Sequence, residues 1–298
     1  MVTFYRRLPK FDFVAPRSLD EALSLLARYE GKAKVIAGGT DVIPKLKRRQ
    51  IGDIDCIIDL KAIPGLDYIR YDNVGGLSIG PLATIRSVER SMLIRERFPI
   101  LSQAAESMAS PQVRNRGTVA GNICNAVPSA DMAPALLALE ANVTLVSQKG
   151  SRTVNIEDFF VGPNQTVLAR DELLNEIRIQ NLPPSYSGKY LKLMPRRAMD
   201  LAIVGVAVLV SRENGICRDI RIALGAVSPT PVRARGAESI IKGKSLSDDL
   251  VDRVSQAAAM ECSPISDHRA SAEYRVEMVK VLTRRAIRHL TFGEAILA

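Results

Sequence analysis

Val35-Ile-Ala-Gly-Gly-Thr-Asp-Val-Ile-Pro-Lys-Leu-Lys-Arg-Arg-Gln50 sets a glycine pair between a short apolar run and a basic segment of helical character. Further along, Arg114-Asn-Arg-Gly-Thr-Val-Ala-Gly-Asn-Ile-Cys-Asn125 repeats the mixture of small residues with hydroxyl and amide side chains. A diphosphate needs several backbone N–H donors directed at it, and side chains obstruct that approach, so glycines in tight turns are the usual solution. A helix that follows such a turn adds its positive N-terminal end. Thr40, Thr118 and Asn122 can add hydrogen bonds from side chains. Alone, either stretch reads as a plain turn; together they read as two walls of one phosphate site. Neither is a Gly-x-Gly-x-x-Gly fingerprint, and no Lys-Ser or Lys-Thr pair follows the glycines as in a P-loop.

Outward from the first stretch, 16–29 predicts a capped helix, with Ser18 and Glu21 at capping-box spacing and Leu19, Ala22, Leu23 and Leu26 on one face. Gly31 ends it. The pattern then gives a strand over 34–37, a turn at Gly38-Gly39, and Thr40 or Asp41 as N-cap of a helix that tolerates Pro44 in its first turn. A strand over 56–60 closes this unit. Next come two strands around a turn at Asp72-Asn73, a helix opening at Thr84, helices over 99–108 and 131–139, and strands over 142–147, 152–156 and 173–180. Leu182-Pro-Pro-Ser-Tyr-Ser-Gly188 is rich in chain breakers and marks a domain boundary. Beyond it, strands over 201–211 and 216–225 flank Glu213-Asn-Gly215 as a hairpin, followed by helices over 234–241, 247–260 and 271–290. The expected class is α+β. The expected division is 1–181, with subdomains of about 1–60 and 61–181, and 188–292.

The chain has 298 residues, 47% hydrophobic and 24% charged, an ordinary globular composition. No apolar run approaches the roughly 18 to 20 residues of a membrane span, and Met-Val-Thr-Phe-Tyr-Arg-Arg at the start lacks the apolar core of a secretion signal, so a cytoplasmic location is expected. The net charge of +9 comes in short clusters at 45–49, 114–116 and 196–197, with 5% aromatics and no Trp. That pattern suits an anionic cofactor or an acidic partner subunit better than nucleic acid. Cys56, Cys124, Cys217 and Cys262 stand far apart and His268 and His289 lie near the end, which gives neither a zinc nor an iron–sulfur spacing. The thiols are expected to be reduced and buried, with Cys124 singled out because it sits inside the second glycine stretch.

Ala37-Gly-Gly-Thr-Asp41, then Arg114-Asn-Arg-Gly-Thr-Val-Ala-Gly-Asn122 running into Asn125-Ala-Val-Pro-Ser-Ala-Asp-Met-Ala-Pro-Ala-Leu-Leu-Ala-Leu139, and finally Arg197-Ala-Met-Asp-Leu-Ala202 resemble the FAD-binding medium subunit of molybdenum hydroxylases, the group of xanthine and carbon monoxide dehydrogenases. The resemblance runs over nearly the whole chain. It implies a vanillyl-alcohol-oxidase-like (PCMH-type) two-subdomain FAD fold followed by a CO dehydrogenase flavoprotein-type C-terminal domain. It implies non-covalent FAD, with Lys34, Val35, Ile36, Ala37, Gly38, Gly39, Thr40 and Asp41 as one pyrophosphate segment and Thr118, Val119, Ala120, Gly121 and Asn122 as the other. By the same match Asp131 faces the cofactor, Leu174 contacts it, Lys192 lies near the flavin ring, and Met108 takes a place where some relatives carry an aromatic. From the residues alone, Asp131 also admits a reading as a helix cap, and Lys192 one as a solvated strand lysine.

One departure stands out: the family usually has two adjacent glycines in the second segment, where this chain has Ala120-Gly121, tolerable if the alanine has negative φ. The run 76–166 contains only Cys124, which argues against the branch with an extra iron–sulfur insertion. The resemblance further implies an iron–sulfur subunit and a molybdopterin-binding subunit as partners in a heterotrimer that can dimerise, and NAD or a quinone as acceptor. No dedicated catalytic residue is expected, since the flavin does the redox work. Two rivals stand beside this reading: a stand-alone FAD oxidoreductase with its own organic substrate, and a cofactor-free interaction module.

Overall fold

The computed structural model describes residues 8–196 and 199–296. Helix Leu19–Arg28 starts where the Ser18 hydroxyl accepts the Glu21 N–H. The Glu21 carboxylate reaches back to the Arg17 N–H at 2.8 Å, one residue earlier than a capping box uses. Ala22, Leu23 and Leu26 pack on Cys56, Ile58 and Leu60. The strand beneath, Cys56–Asp59, lies between Ala33–Ile36 and Asp12–Val14 in a three-stranded parallel sheet. Because strand side chains alternate, Ile57 points to the opposite face, where it meets Ile36, Ile54 and Leu46 of helix Val42–Lys47. The first unit is therefore a small sheet with a helix on each face.

The second unit is a five-stranded antiparallel sheet in the order Ile69–Asp72, Gly76–Ile79, Leu173–Ile179, Asn142–Ser147, Gly150–Asn155. Helices including Ile85–Arg90, Pro99–Ser107 and Val119–Asn125 contribute to its core. In Met132–Ala138 every residue is buried. A helix apolar on all sides must be covered on all sides, and this one lies between the first-half core and the third sheet.

That third sheet is antiparallel, in the order Tyr186–Leu193, Val204–Glu213, Ile216–Gly225, Val232–Arg233. Its two faces belong to different cores. Val204, Val206, Val208 and Val210 meet helices Arg235–Ile241, Asp248–Met260 and Ala272–Phe292, whereas Ala207, Leu209 and Ala223 join the core of the second unit. Asn214 (φ 48°) and Gly215 (φ 76°) make the two-residue hairpin turn. The class is α+β. Among the expected bounds that move, the first strand of the hairpin begins at Val204 rather than 201, after an exposed Leu201, and the irregular stretch before the sheet ends at Ser185, since Tyr186 already pairs with Ser211. Among the described residues, no helix is long and apolar enough to cross a membrane.

Candidate functional site

After strand Ala33–Ile36 the chain turns through Gly38 and Gly39, the latter at φ +77°, and enters helix Val42–Lys47. Gly39 is needed for that left-handed backbone. Gly38 is needed for another reason: a Cβ there would lie 2.0 Å from the Arg116 carbonyl oxygen and 2.9 Å from Gly117 Cα. The two glycine segments thus cross backbone on backbone. The second segment is not the turn its composition suggests. Thr118 caps helix Val119–Asn125 by accepting the Gly121 N–H at 2.9 Å, so Ala120 and Gly121 lie in a first helical turn. Neither has positive φ, and Ala120 replaces a glycine without backbone strain. A Cβ on Gly121 would touch Thr118 Oγ1 and nothing else within 4 Å.

Arg114 anchors the approach to this helix. Its buried guanidinium donates to Glu89 Oε2 at 2.7 Å and to the Met108 carbonyl at 2.7 Å. Burial raises the Glu89 carboxyl, but the bonds and charges of Arg86 and Arg114 outweigh burial and leave it below the usual glutamate value.

The crossing opens on a cleft of about 820 Å³. Lys34, Val35, Ala37, Gly38, Gly39, Thr40 and Asp41 line it from one side, and Thr118, Ala120, Gly121 and Asn122 from the other, joined by Met108 and Leu174. Ile36 and Val119 turn into the apolar cores. Asp131 and Lys192 are not part of the lining. They form a buried ion pair at 2.9 Å with side chains 6% and 2% exposed, and Lys192 also donates to the Ser107 carbonyl. Lys192 is therefore not a solvated lysine, and Asp131, although at the N-cap of Met132–Ala138, makes no side-chain cap bond. It accepts instead from Tyr190 Oη at 3.1 Å. Burial pushes the Asp131 carboxyl up against the pull of Lys192 and Tyr190, and burial beside Asp131 raises the Tyr190 phenol well above its usual value. The pair touches the cleft at one remove: Ser107 precedes the lining residue Met108, and Asn122 Oδ1 accepts the Met132 N–H at 3.3 Å.

Among the lining residues that the sequence reading does not name as contacts are Lys45, Asn125 and Asn164. Lys45 and Asn125 lie in the two quoted stretches, but nothing in their spacing announces that they meet. Asn164 comes from a hairpin with no composition signal beyond Pro163-Asn164. Cys124 also lines the cleft, where burial pushes its thiol up to about 12, so it is not a thiolate. Arg196, expected in a basic docking patch, is instead paired with Asp200. Arg197 lies outside the described residues.

FAD fits this cleft. Two segments of small residues are fixed against each other, Gly121 has only Thr118 Oγ1 within 4 Å of where a Cβ would stand, and the cations Lys34 and Lys45 face the same space. Comparison with known proteins agrees. Residues 9–181 match the model described as FAD binding domain in molybdopterin dehydrogenase, and 189–290 match the CO dehydrogenase flavoprotein C-terminal domain. The chain is 36% identical to the glyceraldehyde dehydrogenase medium chain of Sulfolobus acidocaldarius, over 95% of this chain and 99% of that one. It is 34% identical to the carbon monoxide dehydrogenase medium chain of Hydrogenophaga pseudoflava, over 94% and 96%. A solved structure of carbon monoxide dehydrogenase from the same organism, lacking the Mo-pyranopterin moiety of its cofactor, superposes with a TM-score of 0.92 at 34% identity, covering 97% of this chain and 99% of that chain.

Proposed function

The chain belongs to the family of FAD-binding medium subunits of molybdenum hydroxylases, and from that premise we propose that it is the electron outlet of a cytoplasmic complex, taking electrons from an iron–sulfur subunit and releasing them to NAD or a quinone. A molybdopterin-binding subunit carries the substrate chemistry in this reading. The observation that supports it most is the Gly38–Arg116 crossing, which holds two small-residue segments on one cleft. FAD, when bound, supplies the one- and two-electron redox steps.

The chain's own residues bind and orient. The first segment (34–41) and the second (118–122) take the diphosphate, with Ile36 and Val119 fixing their backbones from the core side, while Met108 and Leu174 supply apolar wall. Asp131 and Lys192 act as positioning residues: their ion pair, tied to Tyr190 and Ser107, holds the third sheet against the loop that carries Met108. We divide the chain accordingly, with 1–181 holding the cofactor and 188–292 covering it and docking partners.

The test begins with flavin released by acid from the purified chain, expected to be FAD and wholly in the supernatant. The flavoprotein alone should reduce artificial acceptors with NADH at most, and substrate should reduce its flavin only after the partner subunits are added. Substrate turnover by the isolated chain would replace this reading with a stand-alone flavoenzyme; a chain that binds no flavin would leave an interaction module.

A further inference from the structure

Lys45 projects from helix Val42–Lys47, in the first glycine segment, across the cleft to the far end of the second. Its ammonium donates to Asn125 Oδ1 at 2.5 Å and to Asn164 Oδ1 at 3.0 Å, partners 80 and 119 positions away. All three residues line the cleft. The two segments are thus tied twice, at the Gly38–Arg116 crossing and at Lys45, and both ties lie at the lining of one cleft. Among the described residues, both partners of Lys45 are neutral amides and no carboxylate is bonded to it. A partly buried ammonium held by two amide oxygens has its hydrogen bonds met while its charge is balanced only through space, by the nearby Asp41.

We infer that Lys45 is a cofactor-binding residue, its ammonium taking a phosphate oxygen of the FAD diphosphate while Asn125 and Asn164 hold it in place. Burial lowers Lys45 from its ordinary value, Asp41 pulls it back up, and Lys34 repels it further down. An arriving dianion offsets both the cost of burying the ammonium and its repulsion by Lys34. Lys34, on the neighbouring strand and in the same lining, leaves the cleft with two cations facing the same anion. This inference rests on the reading that FAD occupies the cleft.

The test uses the full chain stripped of flavin and titrated with FAD and with ADP, which carries the diphosphate without the flavin, at low and at high salt. Lys45→Met is expected to weaken both ligands about tenfold at low salt, the lower end of what a charge-assisted hydrogen bond contributes, and to flatten the salt dependence. Asn164→Asp separates charge from tethering. It places a carboxylate on the ammonium, and Asp tolerates the left-handed backbone that Asn164 adopts at φ 60°. It should preserve the melting temperature of the flavin-free chain yet weaken FAD and ADP by a similar factor. If Asn164→Asp binds FAD as tightly as wild type or tighter, Lys45 is only a tie and the inference fails; unchanged affinity in Lys45→Met overturns it as well. A wild-type chain that binds neither ligand defeats the prior reading of the cleft, and so is told apart from a failure of Lys45 alone.

Discussion

The corner at Gly38–Gly39 and the helix start at Thr118–Gly121 face each other across one cleft, yet their glycines are there for different reasons. Gly39 supplies a left-handed backbone, and Gly38 lets another chain segment pass within touching distance. Gly121 does neither: it sits in a helical turn where a Cβ would meet only the Thr118 hydroxyl. Glycines needed for folding and glycines needed for ligand access look alike in sequence. They separate only when one asks what a methyl group would meet.

Substitution can break this contrast in graded steps. Gly38→Ala puts a methyl into a backbone carbonyl that no rotamer change can move, so it should cost about 3 kcal/mol or more, the upper end of overpacking, and take FAD binding with it. A denaturation midpoint equal to wild type would show that the crossing is looser than described. Gly39→Ala should cost ~1–2 kcal/mol for the left-handed conformation. The nearest atoms its Cβ would meet belong to the movable side chains of Ile36 and Ile43, so the loss stays near that figure when measured by urea unfolding.

Acid probes the anchor of the second segment alone. The Glu89 carboxyl lies below its ordinary value of 4.5 in the folded chain, through Arg86 and Arg114 acting against burial. Its contribution is therefore fully present above that ordinary value and is lost as pH falls through the lowered folded one. Urea midpoints followed downward through 4.5 should drop more for wild type than for Glu89→Gln. Parallel curves would remove Glu89 as the acid-sensitive group.

Gly121→Ala is the mildest and the most informative. Replacing a helical glycine gains up to about 1 kcal/mol, offset by the crowding of Thr118 Oγ1 at 2.9 Å. Stability should stay close to wild type while FAD affinity falls. A variant that keeps both would remove Gly121 from the binding surface.

Legibility followed the range of the interactions. Helix Leu19–Arg28 was readable because Ser18, Glu21 and the spaced leucines lie within a few turns of one another. Strand Asp12–Val14 was missed because three residues carry no period. Helix Val119–Asn125 was read as a turn because Gly121, Asn122 and Asn125 are weak helix formers, and it is burial of Val119 and Ile123 that secures it. The crossing at Gly38 and the tie at Lys45 join residues some eighty positions apart, so no local pattern records them. The Asp131–Lys192 contact spans 61 positions; resemblance pointed to both residues, but only the fold shows that they bind each other.

Amide hydrogen exchange on the flavin-free and FAD-loaded chain tests the central claim most directly, because it reports on both segments in one experiment. If the crossing segments form a single FAD site, exchange should slow together over 37–45 and 117–125 when FAD is added. Protection of one segment without the other, or protection confined to 188–292, would contradict it.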